Sequence, residues 1–143
     1  MASTPPPRAY VIKADLGDAG AASFDLVAQK TMYGGRQIAE GDIVYLLASE
    51  NSGGAGLVAR GVVTAARPVP PRTDAVRQTP RVSVQVQRTA LARRPLGRTE
   101  LKAFSDWQDG QPQTELNFKC YRQATDKIVG IEAATAVFLD SFF

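Results

Sequence analysis

The strict alternation of apolar and polar side chains over residues 81–88, RVSVQVQR, constrains the fold of this chain more than any other segment. Val82, Val84 and Val86 face one side of an extended chain, because successive side chains of a strand point in opposite directions. A strand with one buried and one solvated face is typical of an antiparallel sheet. The sequence therefore predicts a core that is enclosed by β-strands.

Three more strands are predicted. Residues 9–15 alternate apolar and polar positions and form the first of them. Residues 43–48 (IVYLLA) are apolar on both faces, which indicates a central buried strand. Residues 56–64 return after a loop rich in Gly, Ser and Asn, so we expect an antiparallel hairpin between these two runs. Gly61 is expected at a bulge or at a point of close backbone approach.

The predicted helices are short and peripheral. Residues 23–29 are expected to form one or two helical turns with Ser23 as N-cap. Residues 99–104 predict a single turn, and residues 131–142 predict a terminal helix. The side chains expected to face inward are Phe24, Val27 and Ala28 in the first helix, and Ala134, Val137, Phe138 and Phe142 in the last.

These elements lack the spacing of βαβ units. The expected fold class is therefore α+β, mostly β, as a partly closed antiparallel β-barrel with short peripheral helices. Residues 1–8 contain three prolines and no apolar segment, so they are expected to form a flexible leader before a single domain over residues 9–143. The longest purely apolar run has six residues and is too short for a bilayer core of about 30 Å, so no membrane partner is expected.

Composition excludes several kinds of site. The chain has no histidine and one cysteine, so it cannot by itself build a Ser-His-Asp triad, a Cys-His pair or a His-ligated zinc site. Cys120 alone cannot form an internal disulfide, and a buried apolar role is expected for it. The carboxylates Asp106, Asp109 and Glu115 are expected in a solvated turn rather than around a metal. We predict no catalytic residue, no metal and no cofactor, and we expect a cytoplasmic location.

The charge is unevenly distributed. The net charge is only +3, but residues 60–102 carry ten basic side chains against two acidic ones, a local charge of +8. Nine of the ten are arginine, whose planar guanidinium suits phosphate. A basic stripe of this kind is typical of a nucleic-acid binder. The alternative is an arginine-rich surface without such a role.

The order of three motifs resembles the EVE domain, a member of the PUA-like superfamily that also contains the ASCH and YTH domains. The motifs are YVIK at residues 10–13, GDIVY at residues 41–45 with Ser49 after it, and GLVARGVV at residues 56–63. The resemblance covers about residues 10–64 in motifs and the remainder in the order of elements only.

The resemblance implies a nucleic-acid-binding module that takes one flipped base, modified or not, into a pocket beside the barrel. Such a pocket needs an aromatic wall, hydrogen-bonding groups for the base edge and cations for phosphate. The expected base-pocket residues are Tyr33 and Trp107 for stacking, with Thr31, Ser49 and Asn51 for edge contacts. The expected phosphate-binding residues are Lys13, Lys30, Arg36 and Arg60.

Two other functions stay open at this point. The resemblance to ASCH domains implies a metal-free ribonuclease that would use Lys30, Tyr33 and Arg36. The second open function is that of a protein-interaction domain. In that case a dimer would be closed by Phe138, Leu139, Phe142 and Phe143. The expected partner is nevertheless RNA or DNA, bound by a monomer or a weak homodimer. Five of the site residues also have a structural alternative: Trp107 could cap the core, Tyr33 could merely flank a turn of the chain, Ser49 and Asn51 could cap a strand end, and Lys13 could be a solvated charge.

Overall fold

Six strands close into a barrel in the computed structural model, which describes residues 8–74, 78–122 and 125–143. The strands are β1 (Ala9–Ala14), β2 (Ser23–Met32), β3 (Ile43–Ala48), β4 (Gly56–Pro68), β5 (Arg81–Leu91) and β6 (Lys127–Gly130). Their order around the barrel is β1-β3-β4-β5-β2-β6, and β6 pairs with β1. Apart from Arg8, the predicted leader lies outside the described residues.

This arrangement confirms the mostly-β barrel with short helices. The barrel is fully closed and its sheet is mixed, whereas the sequence predicted a partly closed antiparallel one. β1 pairs with β3 in parallel, and β2 pairs in parallel with β6, which closes the barrel. Parallel neighbours require long crossover connections, and local periodicity does not reveal which distant strands such connections bring together. The predicted β3–β4 hairpin is antiparallel as expected.

Two apolar layers surround β1 because both of its faces are buried. Ile12 lies inside the barrel beside Leu46 of β3, in a core cluster drawn from all six strands. Val11 faces outward into a second cluster, between the barrel wall and the helices. Gly61 lies where β4 crosses β5 closely, since an added Cβ would overlap Val86 and Gln87. The register of β4 and β5 shifts at this point, as the sequence predicted.

The predicted helix at residues 23–29 is wrong, because this segment is the first part of β2. Phe24 and Leu26 point into the barrel, while Val27 is 72% exposed. Phe24 lies opposite Val86 of β5, and Leu26 lies opposite the next inward valine. Pairing with β5 therefore imposes the same two-residue alternation of buried and exposed side chains on β2. This pairing outweighs the weak helical spacing that the seven residues show by themselves.

Three short helices lie outside the barrel: α1 (Arg98–Leu101), α2 (Pro112–Leu116) and α3 (Ala133–Asp140). The short turn predicted from residue 99 corresponds to α1. A π-helical turn, Asn117–Tyr121, continues α2 and buries Cys120 as expected. None of the helices in the described ranges combines the length and apolar character that a membrane crossing requires.

The terminal helix exists, and two residues of its predicted inward face, Phe138 and Phe142, do pack inward, whereas the other two do not. Thr135, Leu139 and the following Phe142 are buried, while Ala134 and Val137 are exposed. The helix is held by its C-terminal turn, where the Tyr45 hydroxyl donates to Asp140 at 2.6 Å. Burial, followed by this hydrogen bond, raises the pKa of Tyr45 to about 12. This anchor sets the rotation of α3, and the apolar residues within the helix do not reveal it.

Candidate nucleic-acid interface

Tyr33 is held out of the barrel wall by the turn that follows β2. Its backbone has a φ of +52°, and Gly34 continues the left-handed turn at +80°. Gly35 then packs so closely on β6 that an added Cβ would overlap the Ile128 carbonyl. The chain leaves the sheet abruptly here, and the Tyr33 side chain is 50% exposed.

Trp107 approaches the same region from the other side. It opens a 3₁₀ turn, Trp107–Asp109, whose N-cap is Asp106; the backbone N–H of Gln108 donates to the Asp106 carboxylate at 3.1 Å. The indole packs on Phe118 with ring centroids 4.9 Å apart, and it remains 55% exposed. The Phe118 contact fixes the indole and leaves an aromatic surface beside Tyr33.

Tyr33 and Trp107 line one concavity, which we call the aromatic pocket. Its volume is about 360 Å³, and its wall includes Glu115, Lys119 and Glu132. A second concavity of about 570 Å³ shares Tyr33, Lys119 and Glu132 with it, so the two adjoin. Small-molecule sites occupy roughly 300 to 1,000 Å³, which makes this space suitable for a single base.

The Glu115–Lys119 ion pair forms part of the pocket wall. Lys119 Nζ lies 2.9 Å from Glu115 Oε2, and both side chains are nearly buried. The ammonium also donates to the Gly130 carbonyl at 2.8 Å and lies 5.0 Å from the centre of the Tyr33 ring. The sequence did not single out this pair as a site. Its spacing of four residues is a signal for a helical ion pair, but the sequence of residues 114–121 does not by itself distinguish helix from strand.

A third cavity, which we call the basic cleft, is lined by residues on both sides of the turn after β2 along the chain. Its volume is about 760 Å³, and its ionisable lining consists of Lys30, Arg36, Arg72 and Arg81, with no acidic side chain among its described lining residues. Prolines from the loop after β4 form its opposite wall. Arg81 is oriented by donating to the Ala28 carbonyl at 2.7 Å. The cleft therefore brings together Lys30 and Arg36, which are predicted phosphate ligands, with Arg72 and Arg81. The sequence had assigned these two arginines only to the basic stripe.

The aromatic pocket and the basic cleft are close along the chain. Lys30 lines the cleft, Tyr33 lines the pocket and Arg36 lines the cleft again. Three extended residues span at most about 10 Å, so Tyr33 lies within about 10 Å of a cationic residue in each direction along the backbone. A base in the pocket can therefore have its own or a neighbouring phosphate near the cleft.

Three predicted base-pocket residues lie elsewhere. Ser49 follows β3 and is buried at the Ala14 end of β1, whereas Tyr33 lies at the Tyr10 end. Parallel pairing of β1 and β3 places these two ends about 13 Å apart. Asn51 lines a cavity that shares Lys30 and Arg81 with the basic cleft, and it does not line the aromatic pocket.

Thr31 is the third of these residues. It is buried, and its hydroxyl donates to the Pro80 carbonyl at 2.7 Å. Its side chain therefore holds the loop that precedes β5 instead of facing the aromatic pocket.

Two predicted phosphate ligands are also turned away from solvent or already paired. Lys13 is 1% exposed, and its ammonium donates to the Cys120 carbonyl at 2.9 Å beneath the π-helical turn. It has no accessible surface for a phosphate and it is not a solvated charge. Arg60 lies against α3, where its Nε contacts Asp140 at 3.0 Å. We leave both residues out of the proposed interface.

The predicted basic stripe is not one surface. Arg93 and Arg94 donate to the backbone carbonyls of Phe143 and Ser141 at the end of the chain. Arg88 donates to the carbonyl of Gly20 in the loop after β1. Arg77 lies outside the described residues. Several arginines in this segment therefore tie loops to the barrel, and Arg72 and Arg81 contribute to the basic cleft.

The carboxylates near Trp107 have local partners. Asp106 accepts from the Gln108 backbone, Asp109 accepts from Thr114, and Glu115 pairs with Lys119. Within the part of the chain that the structure describes, no three carboxylate or thiol side chains are grouped so that they could hold a metal ion.

Comparison with known proteins identifies the fold. No family model matches the chain, and no curated protein matches it significantly. The human THYN1 protein, solved in complex with DNA containing 5-methylcytosine, is similar with a TM-score of 0.63 and 15% identity, over 94% of this chain and 96% of that chain. The DUF55 domain of human thymocyte nuclear protein 1 has a TM-score of 0.61 at 14% identity, over 92% and 96%. A Pseudomonas syringae protein has a TM-score of 0.58 at 14% identity, over 94% and 99%. This chain thus shares the fold of these solved structures, a closed β-barrel with few short helices.

Proposed function

We propose that this chain is a nucleic-acid-binding module of the EVE type that holds one base in the aromatic pocket and phosphates in the basic cleft. The observation that carries the proposal is that Tyr33 and Trp107, both about half exposed, line one concavity. Lys30 and Arg36 line the neighbouring cleft. Stacking of a base on an aromatic side chain contributes about 1 to 3 kcal/mol, and arginine binds phosphate with two parallel hydrogen bonds.

The similarity to a human protein solved with 5-methylcytosine-containing DNA supports this proposal at the level of the fold. It favours a reader of a modified base over a general single-strand binder. The partner would be DNA or RNA with one base flipped into the pocket. Flipping is least costly for a mismatched or single-stranded base.

Titration with oligonucleotides tests the proposal. Single strands and duplexes of DNA and RNA, with and without 5-methylcytosine, are titrated at 50 and 200 mM salt. Affinity should fall as salt rises, because bound phosphates release counterions. Lys30→Ala and Arg36→Ala should each lower the slope of log K against log salt by about 0.7 to 0.9. Tyr33→Ala should weaken binding and leave the slope unchanged.

Lys102→Ala is the matched control for charge, because Lys102 is exposed and does not line the cleft. It should leave both affinity and slope near those of the wild type. Absence of salt-dependent binding to every oligonucleotide would overturn the proposed function.

We propose binding without catalysis, and a metal-free ribonuclease is the alternative. Lys30 and Arg36 share the basic cleft, but Tyr33 lines the aromatic pocket instead. Incubation with RNA should leave the strand intact. Cleavage that disappears in Lys30→Ala would favour the ribonuclease.

We further propose that residues 9–143 act as one domain, as a monomer or weak homodimer in a reducing cytoplasm. The single thiol, Cys120, is buried and is compatible with this setting.

A further inference from the structure

The aromatic pocket and the basic cleft differ in charge. Among the described residues that line the pocket, the ionisable ones besides Tyr33 are Glu115, Glu132 and Lys119, which leaves an excess of one negative charge. The cleft has four cationic side chains; Arg72 is paired with the exposed carboxylate of Asp74, and Lys30, Arg36 and Arg81 carry the remaining positive charge. A phosphate is repelled by the pocket and attracted by the cleft, so the pocket is suited to the base alone.

Lys119 already uses two of its three hydrogen-bond donors within the protein. An ammonium group has three N–H donors. One donates to Glu115 and one to the Gly130 carbonyl, and the ammonium also lies over the Tyr33 ring. Lys119 therefore positions Glu115 and Tyr33, and its ammonium, which has no acceptor, cannot accept from an amino group of a base.

Glu115 keeps unused acceptor positions. Its Oε2 accepts from Lys119 at 2.9 Å, and the backbone N–H of Glu132 is shared between Oε1 at 3.1 Å and Oε2 at 3.3 Å. An ionised carboxylate offers about four lone-pair positions, so two donors leave room for more. The side chain is held on one side by Lys119 and forms part of the pocket wall, where a ligand N–H can reach it.

We infer that Glu115 determines which base the pocket accepts, and that it selects bases with an exocyclic amino group over thymine and uracil. This inference rests on the proposed function. Cytosine, adenine and guanine each present an amino group on the Watson-Crick edge, and carboxylates accept from such groups. Thymine and uracil present one N–H with a carbonyl oxygen on each side of it, and these two oxygens repel the carboxylate.

The test uses fluorescein-labelled single-stranded DNA of sequence TTTXTTT, with X as cytosine, adenine, guanine, thymine or an abasic site. The thymine flanks leave X as the sole amino-bearing base, so X decides which nucleotide occupies the pocket. Wild-type protein should bind the three amino-bearing strands about tenfold more tightly than the thymine strand. In Glu115→Gln, the amide also offers N–H donors to the thymine carbonyls, so the preference should fall towards unity.

Glu40→Gln is the control, since it removes the same charge at an exposed residue outside the pocket. It should keep the wild-type preference. Binding of wild-type protein that is equal for all X would overturn this inference and leave the proposed function standing. A preference that persists in folded Glu115→Gln would assign base selection to another group and would also overturn it. Absence of binding to every strand would overturn both proposals.

Discussion

Two adjacent glycines after β2 act in different ways on the position of Tyr33. Gly34 has a φ of +80° and open space around its Cα, so it contributes backbone freedom. Gly35 is packed on the Ile128 carbonyl and contributes the absence of a side chain. Two adjacent glycines are a sequence signal for a change of chain direction, but the sequence does not show which glycine provides the turn and which the close contact.

Substitution of the two glycines by alanine should therefore separate these effects. Gly35→Ala forces β6 and the turn apart, and we expect it to lower the free energy of unfolding by more than about 2 kcal/mol. Gly34→Ala places a Cβ in left-handed backbone and should lower the free energy of unfolding by only about 1 kcal/mol. Urea unfolding of both variants measures the difference. Equal losses would contradict the packing role of Gly35.

Cys120 predicts a specific dependence of stability on pH. Burial raises the pKa of its thiol from 9.0 to about 12. Above pH 9 the unfolded state releases the thiol proton, whereas the native state keeps it. The contribution of the thiol to the free energy of unfolding is therefore complete below pH 9 and is lost as pH rises towards 12. Between pH 8 and pH 10 the loss should be about 1.4 kcal/mol relative to Cys120→Ala.

The comparison with Cys120→Ala is necessary because a neighbouring lysine acts in the opposite direction. Burial lowers the pKa of Lys127 from 10.5, so its contribution to stability grows as pH rises through that window. Both proteins carry Lys127, so the contribution of burial to its titration cancels in the difference between their unfolding free energies, which reports the thiol and its interaction with Lys127. The same pH slope in both proteins would show that the thiol does not titrate differently on unfolding.

At the scale of the element, β2 depends on a bulge. The register with β5 shifts between Leu26 and Gln29, and Ala28 has a φ of +52°. The Ala28 N–H donates to the Ser83 hydroxyl, and its carbonyl accepts from Arg81. The bulge thus orients Arg81 at the basic cleft, and an alanine in left-handed backbone is strained.

Ala28→Gly should relieve this strain and raise the free energy of unfolding by about 1 kcal/mol. Ala66→Gly in β4 is the control, where ordinary strand backbone predicts a loss of about 0.5 to 1 kcal/mol. Thermal or urea unfolding of both variants provides the measurement. A loss of stability in Ala28→Gly would show that the alanine side chain contributes more than its backbone strain costs.

At the scale of the whole molecule, closure of the barrel leaves the aromatic C-terminal segment to pack on its own chain. Leu139 and Phe142 are buried between α3 and the barrel, and the rings of Phe138 and Phe142 lie 5.3 Å apart. Tyr45 and Phe143 also contact, with ring centroids 6.2 Å apart. These contacts favour packing within one chain over the apolar dimer surface considered from the sequence.

Leu139→Ala distinguishes the two arrangements. Removal of a fully buried leucine should lower the free energy of unfolding by about 2 to 5 kcal/mol. Light scattering after size exclusion should give the mass of a monomer for both the wild type and the variant. A wild-type dimer that dissociates in the variant would instead support pairing between chains.

The sequence alone determined the elements with strong local patterns: the alternating β5, the doubly apolar β3, its hairpin with β4, and the aromatic and cationic residues around the Gly34–Gly35 turn. These are local properties, because side-chain period and turn chemistry depend on neighbours along the chain. Only the tertiary structure decided which polar residues share a surface. Parallel pairing of β1 with β3 separates Ser49 from Tyr33, and the same packing buries Lys13. The tertiary structure also brings the Glu115–Lys119 pair to Tyr33. The sequence does not reveal this contact, because contacts between residues far apart in sequence depend on strand order and helix rotation.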